Sequence, residues 1–586
     1  MKLLLREYLA SLREREELDA VLPDLLSQMG MNVISRPRRG VRQYGVDVAA
    51  VGAIDGQEER VYLFSVKPGD LGRADWNTGS PQSVRPSLDE ILDVYIGTWL
   101  PVEHRHKKIS ICICVGGDIR EEVRAQLRGY IAGHSNDQIA FEEWNGDKIA
   151  SLIEAHFLRE ELLPKAAQSH LRKALAFIDE PDTSFKHFAI LIDSALSEEI
   201  SSPAKRVRTI RQLSICLWIL FAWAREHGNL ESPYHSAERL LLRLWTIVRD
   251  YANKKSATAR TIVSTYVSVL DTYLVVGAEY FAKCLLPHAT KLHGLTSQAR
   301  GATSLDANLT LFELAGRAAL HGLWLRWYAQ GLPDGAEGRD DIFKTSSMYA
   351  AALRELVDKN PVLLLPIKDD QCIDIALVTS LLLSTDHDAT ARFWLSSIVD
   401  RAVFAYRLHK PYPCVLSSYQ ELLDHPQRND AYRHRATAGS ALYPFIAIIG
   451  AVLGDQELYE AVKRFKRDHL QHCNFQYWYP DGASEDRIYA DNELHGVTLS
   501  GLEVEARPEE LLERVFGECD KTPHFTELSA VKCGFMPLAL MACRHYRLPV
   551  PLHLFRAHWR ANLGGAGENV EQARAREDER SGDPTV

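Results

Sequence analysis

The stretch from Gly45 to Lys67, GVDVAAVGAIDGQEERVYLFSVK, decides how the first part of the chain folds. Two runs rich in β-branched and aromatic residues, GVDVAAVG and VYLFSVK, flank a charged segment, AIDGQEER, whose Asp55-Gly56 pair is a hairpin signal. In an antiparallel pair directly opposed residues share a face and the side-chain period is two, so the loop length sets the register. A three-residue loop, Asp55-Gly56-Gln57, puts Asp47 opposite Ser65, with Lys67 diagonal on the same face. A two-residue Asp55-Gly56 turn pairs Asp47 with Phe64 instead and points the charges apart.

Working outward, LDAVLPDLLSQM places Leu18, Val21, Leu22, Leu25, Leu26 and Met29 on one helical stripe, with a kink expected at Pro23 and a stop at Gly30. MNVISRP then reads as a strand. After the hairpin, Ser87 and Glu90 have the spacing of a capping box, and Leu88, Ile91, Leu92, Tyr95, Ile96 and Trp99 form an apolar stripe. KISICICVGG is apolar almost throughout, as a strand covered by helices on both faces must be. A helix bearing Ile119, Val123, Leu127 and Tyr130 follows. The strand QIAFEEW and a helix capped by Asp147, carrying Ile149, Leu152, Ile153 and Phe157, complete the order α-β-β-β-α-β-α-β-α.

Beyond about Pro164 only amphipathic helical stretches are evident, among them FKHFAILIDSALSEEI, RQLSICLWILFAWAREH, ERLLLRLWTIVRDYA and LYEAVKRFKRDHL. They predict a helical-repeat-like, all-α region without a fixed repeat period. The expected organisation is an α/β domain over 1–162, an all-α region over 163–562, which could form two subdomains, and a polar, charged tail over 563–586 with poor order.

Across 586 residues, 46% hydrophobic and 25% charged side chains are ordinary globular values. A net charge of -10 excludes a protein coated in positive charge, so any nucleic-acid contact has to come from a local basic patch. The ten cysteines form no CxxC pair and no regular spacing, which excludes a zinc ribbon and a disulfide framework. MKLLLREYLASLRERE is broken early by charge and does not read as a signal peptide, and no run was expected to reach the roughly 20 apolar residues of a membrane span. These readings predict a cytoplasmic protein with no membrane partner.

Gly45-Val46-Asp47 on the second strand and Ser65-Val66-Lys67 on the third, within this order of elements, resemble the PD-(D/E)XK nuclease superfamily, and Mrr-type restriction enzymes above all. The resemblance covers roughly residues 15–160. It implies a restriction-endonuclease-like fold and metal-dependent hydrolysis of DNA, with Mg²⁺ or Mn²⁺ as cofactor. Asp47 would be the first metal ligand and the Val66 backbone carbonyl the second. Lys67 would orient or deprotonate the attacking water and neutralise charge on the phosphate. Ser65 stands where the family places Glu, Asp or Gln, and a neutral hydroxyl is a poor ligand for Mg²⁺. The leading helix of family members often adds an acid, here Asp19 and, less favourably placed, Glu17.

The run Arg36, Arg38, Arg39 and Arg42 contains no acid and precedes the second strand, so a duplex backbone could meet Arg38, Arg39 and Arg42 there, with Gln43 beside them. A solvated charged turn explains the same run. His104 to Lys108 reads as a solvated helix-to-strand loop. Three weaker groups have bland explanations. His469, His472 and Cys473 lack a fourth ligand, and Asp386-His387-Asp388 is similar to a phosphohydrolase motif but lacks partners. Phe475, Tyr477, Trp478 and Tyr479, near Asp481, could line a base pocket or a core. The expected function is a DNA endonuclease of restriction or antiviral defence, whose helical region serves sensing, a partner protein or homo-oligomerisation. The alternatives are an inactive nucleic-acid-binding scaffold and a helical interaction protein whose first domain only dimerises.

Overall fold

The computed structural model describes residues 6, 9, 18–35, 43–54, 58–77, 83–156, 165–197, 200, 202–297, 301, 303–491 and 495–559. Its first part is a mixed sheet with helices on both faces; the remainder is mostly helical. The leading helix α1 (Asp19–Gln28) contains Pro23 and ends at Gly30, whose φ of +89° suits a glycine. Strands β1 (Asn32–Ser35), β2 (Val48–Gly52) and β3 (Arg60–Lys67) form an antiparallel meander. Strands β4 (Ile109–Val115) and β5 (Ile139–Trp144) add in parallel, giving the order β1-β2-β3-β4-β5. The parallel pairs need crossovers, and helices supply them.

Alternation sorts the sheet residues. Val61 and Leu63 of β3, Ala49 and Val51 of β2, and Ile109, Ile111, Ile113 and Val115 of β4 pack beneath helices α2 (Val84–Glu90) and α3 (Glu121–His134). The even-numbered residues face the other way, where Phe64 meets Trp144 edge-on at 4.9 Å. Helices α1 and α4 (Gly146–His156) pack on each other, and α1 also packs against β1 and β2.

Three local readings change. Helix α2 begins at Val84, one turn before the expected cap: Ser87 lies inside it, its hydroxyl donating to the Ser83 carbonyl at 3.0 Å. Pro86 sits in the first turn, where its missing N–H leaves no bond unmade. The helix then continues as a π-helix over Ile91–Trp99, and the Leu100 N–H reaches the Tyr95 carbonyl five residues back. The wider turn puts Leu100 in the core and leaves Trp99, expected on the buried stripe, 52% exposed. Helix α4 is capped by Asn145, whose side-chain oxygen accepts the Lys148 N–H at 3.0 Å, and Asp147 falls in its first turn.

By backbone contacts the chain divides into two compact units, residues 1–240 with 254–276 and residues 241–253 with 277–586. The division does not fall at the expected 162/163 boundary. Helices α5 (Lys165–Ala176), α6 (Pro181–Ser197) and α7 (Pro203–His227) group with the sheet, and α7 packs on α1. Next come α8 (Glu231–Ala252) and α9 (Ala257–Cys284). Helices α7 and α9 are long and apolar enough to cross a bilayer by length and composition, contrary to the expectation that no run would be. Most of α7 is buried within the protein, polar Arg211 and Gln212 included.

The second unit is built mainly on α10 (Ser304–Gly331), α11 (Arg339–Lys359), α12 (Cys372–Leu383), α13 (Asp388–Arg407), α14 (Leu442–Val452) and α15 (Gln456–His469). It also holds two small strand pairs that the all-α reading missed. Strand β6 (Gly439–Ser440) runs parallel to β7 (Asn474–Phe475), and β8 (Tyr477–Tyr479) antiparallel to β9 (Val497–Leu499). Runs of two or three residues are too short to leave a period-two signal. The tail over 563–586 lies outside the described residues.

Candidate functional site

The pairing Val48↔Phe64 through Gly52↔Arg60 is the register of an odd-length loop, but it stops at Val48 and does not extend to the expected pair of Asp47 with Ser65. Residues 55–57 lie outside the described residues. Just before β2, however, strict alternation breaks. The Asp47 N–H donates to the Phe64 carbonyl at 2.9 Å, while Val46 packs in the cluster that holds Ala49 and Val51. An uninterrupted period of two would place Asp47 there instead.

The approach to this point is tight. Tyr44 and Gly45 both have positive φ, and a Cβ on Gly45 would lie 2.0 Å from the Ser87 carbonyl, so only glycine lets the chain pass α2. Gln43, half-buried, accepts the Val46 N–H at 3.1 Å and closes this turn.

The Asp47 carboxylate reaches the edge of β3, where its Oδ2 accepts the Val66 N–H at 2.7 Å. The peptide groups of alternate strand residues point the same way. Phe64 turns its carbonyl to the Asp47 side, so Val66 turns both its N–H and its carbonyl into the same notch. Asp47 and the Val66 carbonyl are thereby brought together.

Ser65 and Lys67 pair with Ile113 and Val115 of β4 and share the face of Val61 and Leu63. Ser65 and Lys67 therefore stand on one face, with Lys67 half-buried at the end of the strand, but Asp47, expected on that face with them, is turned off it by the break before β2. Ser65 is 1% exposed, and its hydroxyl has no hydrogen-bond partner among the described residues. Asp19 is the first residue of α1, and its side chain lies outside the described residues, as do Arg36, Arg38, Arg39 and Arg42.

A hard divalent cation takes six or more oxygen ligands, several of which can be water. In the notch the described residues offer it one carboxylate and one carbonyl, and no group of three or more His, Cys, Asp or Glu with metal-holding geometry occurs among them. Ser65 contributes nothing, so the fit depends on a second acid, the place Asp19 would take.

Sequence reasoning missed the row beside the notch. Val66 pairs with Cys114, and Cys114 with Trp144. Burial pushes the Cys114 thiol far up, and the nearby Asp47 carboxylate adds to the shift. The Lys148 ammonium lies 4.5 Å over the Trp144 ring and 3.0 Å from Glu142 Oε2. The Glu142 carboxyl stays below the usual range; burial raises it, but the hydrogen bond and charge of Lys148 outweigh that. The signal was an acid two places before Trp144, with a lysine in the first turn of the next helix.

The run His104 to Lys108 sits at the other end of β3 and β4. Lys107 pairs with Glu59, Lys108 with Glu58 at 2.9 Å, and Arg105 donates to the carbonyls of Leu100 and Thr98.

The remaining candidates are structural. His472 bonds Thr437 at 2.8 Å and stacks on His434, and burial pushes the Cys473 thiol up to about 12. His469 ends α15 against Tyr406 and Phe465. Asp386-His387-Asp388 is the turn into α13, with Asp386 at φ +58° and His387 Nδ1 2.7 Å from the Thr385 carbonyl. Phe475, Tyr477, Trp478 and Tyr479 are buried; the polar atoms of the last three bond the carbonyls of Val550, His495 and Val515, so they are core. Asp481 caps the turn that follows, accepting from Ser484 and the Ala483 N–H.

Compared with protein-family models, with curated proteins and with solved structures, the chain matches none.

Proposed function

We propose that the mixed α/β region is a restriction-endonuclease-like domain that hydrolyses phosphodiester bonds in DNA with Mg²⁺ or Mn²⁺. One observation carries this reading: the Asp47 carboxylate accepts the Val66 N–H at 2.7 Å at the edge of β3, one residue before Lys67. Strand order supports it too, with a three-stranded meander followed by parallel crossovers. Asp47, the Val66 carbonyl and Asp19 would hold the cation. Once bound, it would stabilise charge developing on the phosphate and activate water. Lys67 would orient the attacking water or neutralise the phosphate, and the Arg38, Arg39 and Arg42 loop with Gln43 would meet the DNA backbone. The helical region would then serve sensing or assembly, in a cytoplasmic effector of restriction or antiviral defence.

The buried Ser65 hydroxyl, without a partner among the described residues, favours a second reading, a domain that grips nucleic acid without cutting it. Incubation of supercoiled plasmid with the full chain and Mg²⁺ or Mn²⁺ separates the two. Cleavage should be abolished by chelator and fall at least about a hundredfold in Asp47→Ala and Lys67→Ala, the scale of losing an electrostatic catalytic group. If Asp47→Ala cuts like wild type, the enzymatic reading fails. If wild type binds plasmid in a salt-sensitive manner but never cuts, the second reading holds.

A further inference from the structure

Helix α13 is apolar on two sides. Trp394, Leu395, Ile398, Val399 and Ala402 are buried, and the helix packs on α12, α14 and α15. On the other side Phe393 is 56% exposed and Phe404 64%, and Leu408, the residue that follows the helix, is 50% exposed. At about 100° per residue Phe404 lies three turns after Phe393 in nearly the same direction, and Leu408 follows one turn later. Single exposed apolar residues are ordinary, but three along one stripe mark a surface that another molecule covers.

The charges on this stripe select the occupant. Asp400 and Arg401 stand between the two phenylalanines, both exposed, and their side chains make no hydrogen bond or ion pair among the described residues. Being consecutive, they point about 100° apart and so straddle the line from Phe393 to Phe404. Two copies of α13 laid parallel about a two-fold axis bring one side of the stripe against the opposite side of its copy, so each Asp400 meets Arg401 of the partner subunit. Antiparallel copies would instead set Asp400 against Asp400 and Arg401 against Arg401. In the parallel register Phe393 and Phe404 each meet their own counterparts, and Ser397, small and half-buried, lets the helices approach between them. An acidic or a basic partner, or a lipid surface, would answer only one of the two charges.

We propose that this face of α13 is an isologous dimer interface, occupied by α13 of a second copy of this chain in parallel orientation. The inference rests on the reading that the helical region serves assembly, and it is independent of whether the α/β region cuts DNA. Aromatic anchors flanked by ion pairs are the elements from which such an interface takes its affinity and its orientation.

The test is sedimentation equilibrium of the full chain, with circular dichroism melting to verify that each variant keeps its fold. Wild type should dimerise reversibly below about 100 µM. Phe404→Glu should weaken the dimer at least about 30-fold, the scale of losing an aromatic anchor. Asp400→Arg and Arg401→Asp should each weaken it about tenfold, because the two-fold axis turns both ion pairs into repulsions. The double variant Asp400→Arg/Arg401→Asp should regain most of the affinity, and an equal mixture of the two single variants should form the mixed dimer. A monomeric wild type overturns the proposal and the assembly reading together. A wild-type dimer that Phe404→Glu leaves unchanged overturns the proposal alone, as does a double variant no tighter than the single ones. If wild type is monomeric yet cuts plasmid, the interface fails and the nuclease reading stands. If it dimerises through α13 and never cuts, catalysis fails and the interface stands.

Discussion

At the residue scale, Ser65 separates the two functional readings. A buried hydroxyl without a partner costs roughly 1–3 kcal/mol relative to one that is bonded, and removing the group is neutral or favourable. Ser65→Ala is therefore expected to leave the urea midpoint unchanged, or to raise stability by up to about 1 kcal/mol. A loss above that size would mean that the hydroxyl holds a partner. The sequence made Ser65 conspicuous by its chemistry and its spacing from Lys67. Its burial was not legible, because it depends on α2 and α3 closing over that face of the sheet. Asp47 shows the converse. The odd-length register was legible, but it ends at Val48 rather than pairing Asp47 with Ser65, and the turn of Asp47 into the notch comes from an interruption of the alternation that carries no residue signature.

At the scale of elements, apolar strings locate strands and helices well and their ends poorly. All five strands of the sheet were readable from composition, and β4 is buried along its whole length as its apolar run requires. The stripe from Leu88 to Trp99 assumed an α-helical period throughout. Only the longer hydrogen-bond step at Leu100 reveals the π-turn that moves Trp99 outward. Caps show a similar error, since Asp147 and Asn145 are both competent cap residues two places apart. The Asn145 side chain accepts the Lys148 amide, whereas Asp147 faces Arg6 at 3.5 Å on a half-exposed surface. Asn145→Ala should therefore cost about 1 kcal/mol, as loss of an N-cap does. Asp147→Ala should cost half of that or less, because exposed ion pairs contribute little. Paired urea titrations check this, and equal losses would return the cap to Asp147.

At the scale of the whole molecule, the change from α/β to helical composition near residue 162 suggested a boundary that backbone contacts do not respect. The first compact unit continues to Leu240 and takes in 254–276. One tie between α7 and α1 is an ion pair that is nearly buried. Asp24 on α1 and Arg211 on α7 are both about 9% exposed, with Oδ1 and Nε 3.7 Å apart. Neither residue signals the other in the sequence, since 187 positions separate them and each sits in its own helical stripe. Removing one partner of a buried ion pair typically costs 3–5 kcal/mol, because the remaining charge stays out of water. A fragment spanning 1–162 would lose Arg211 and the apolar cover of α7 together. It is expected to unfold at a clearly lower temperature than a fragment spanning 1–276, by circular dichroism. In 1–276, Asp24→Asn should lower stability, because it takes the carboxylate from beside the buried Arg211 guanidinium; in 1–162, where α7 no longer covers Asp24, the same change should have little effect. Equal melting of the two fragments would restore the boundary at 162 and assign the pair no weight. A loss on Asp24→Asn confined to the long fragment would identify α7 as an element that holds α1, and with it Asp19, against the sheet.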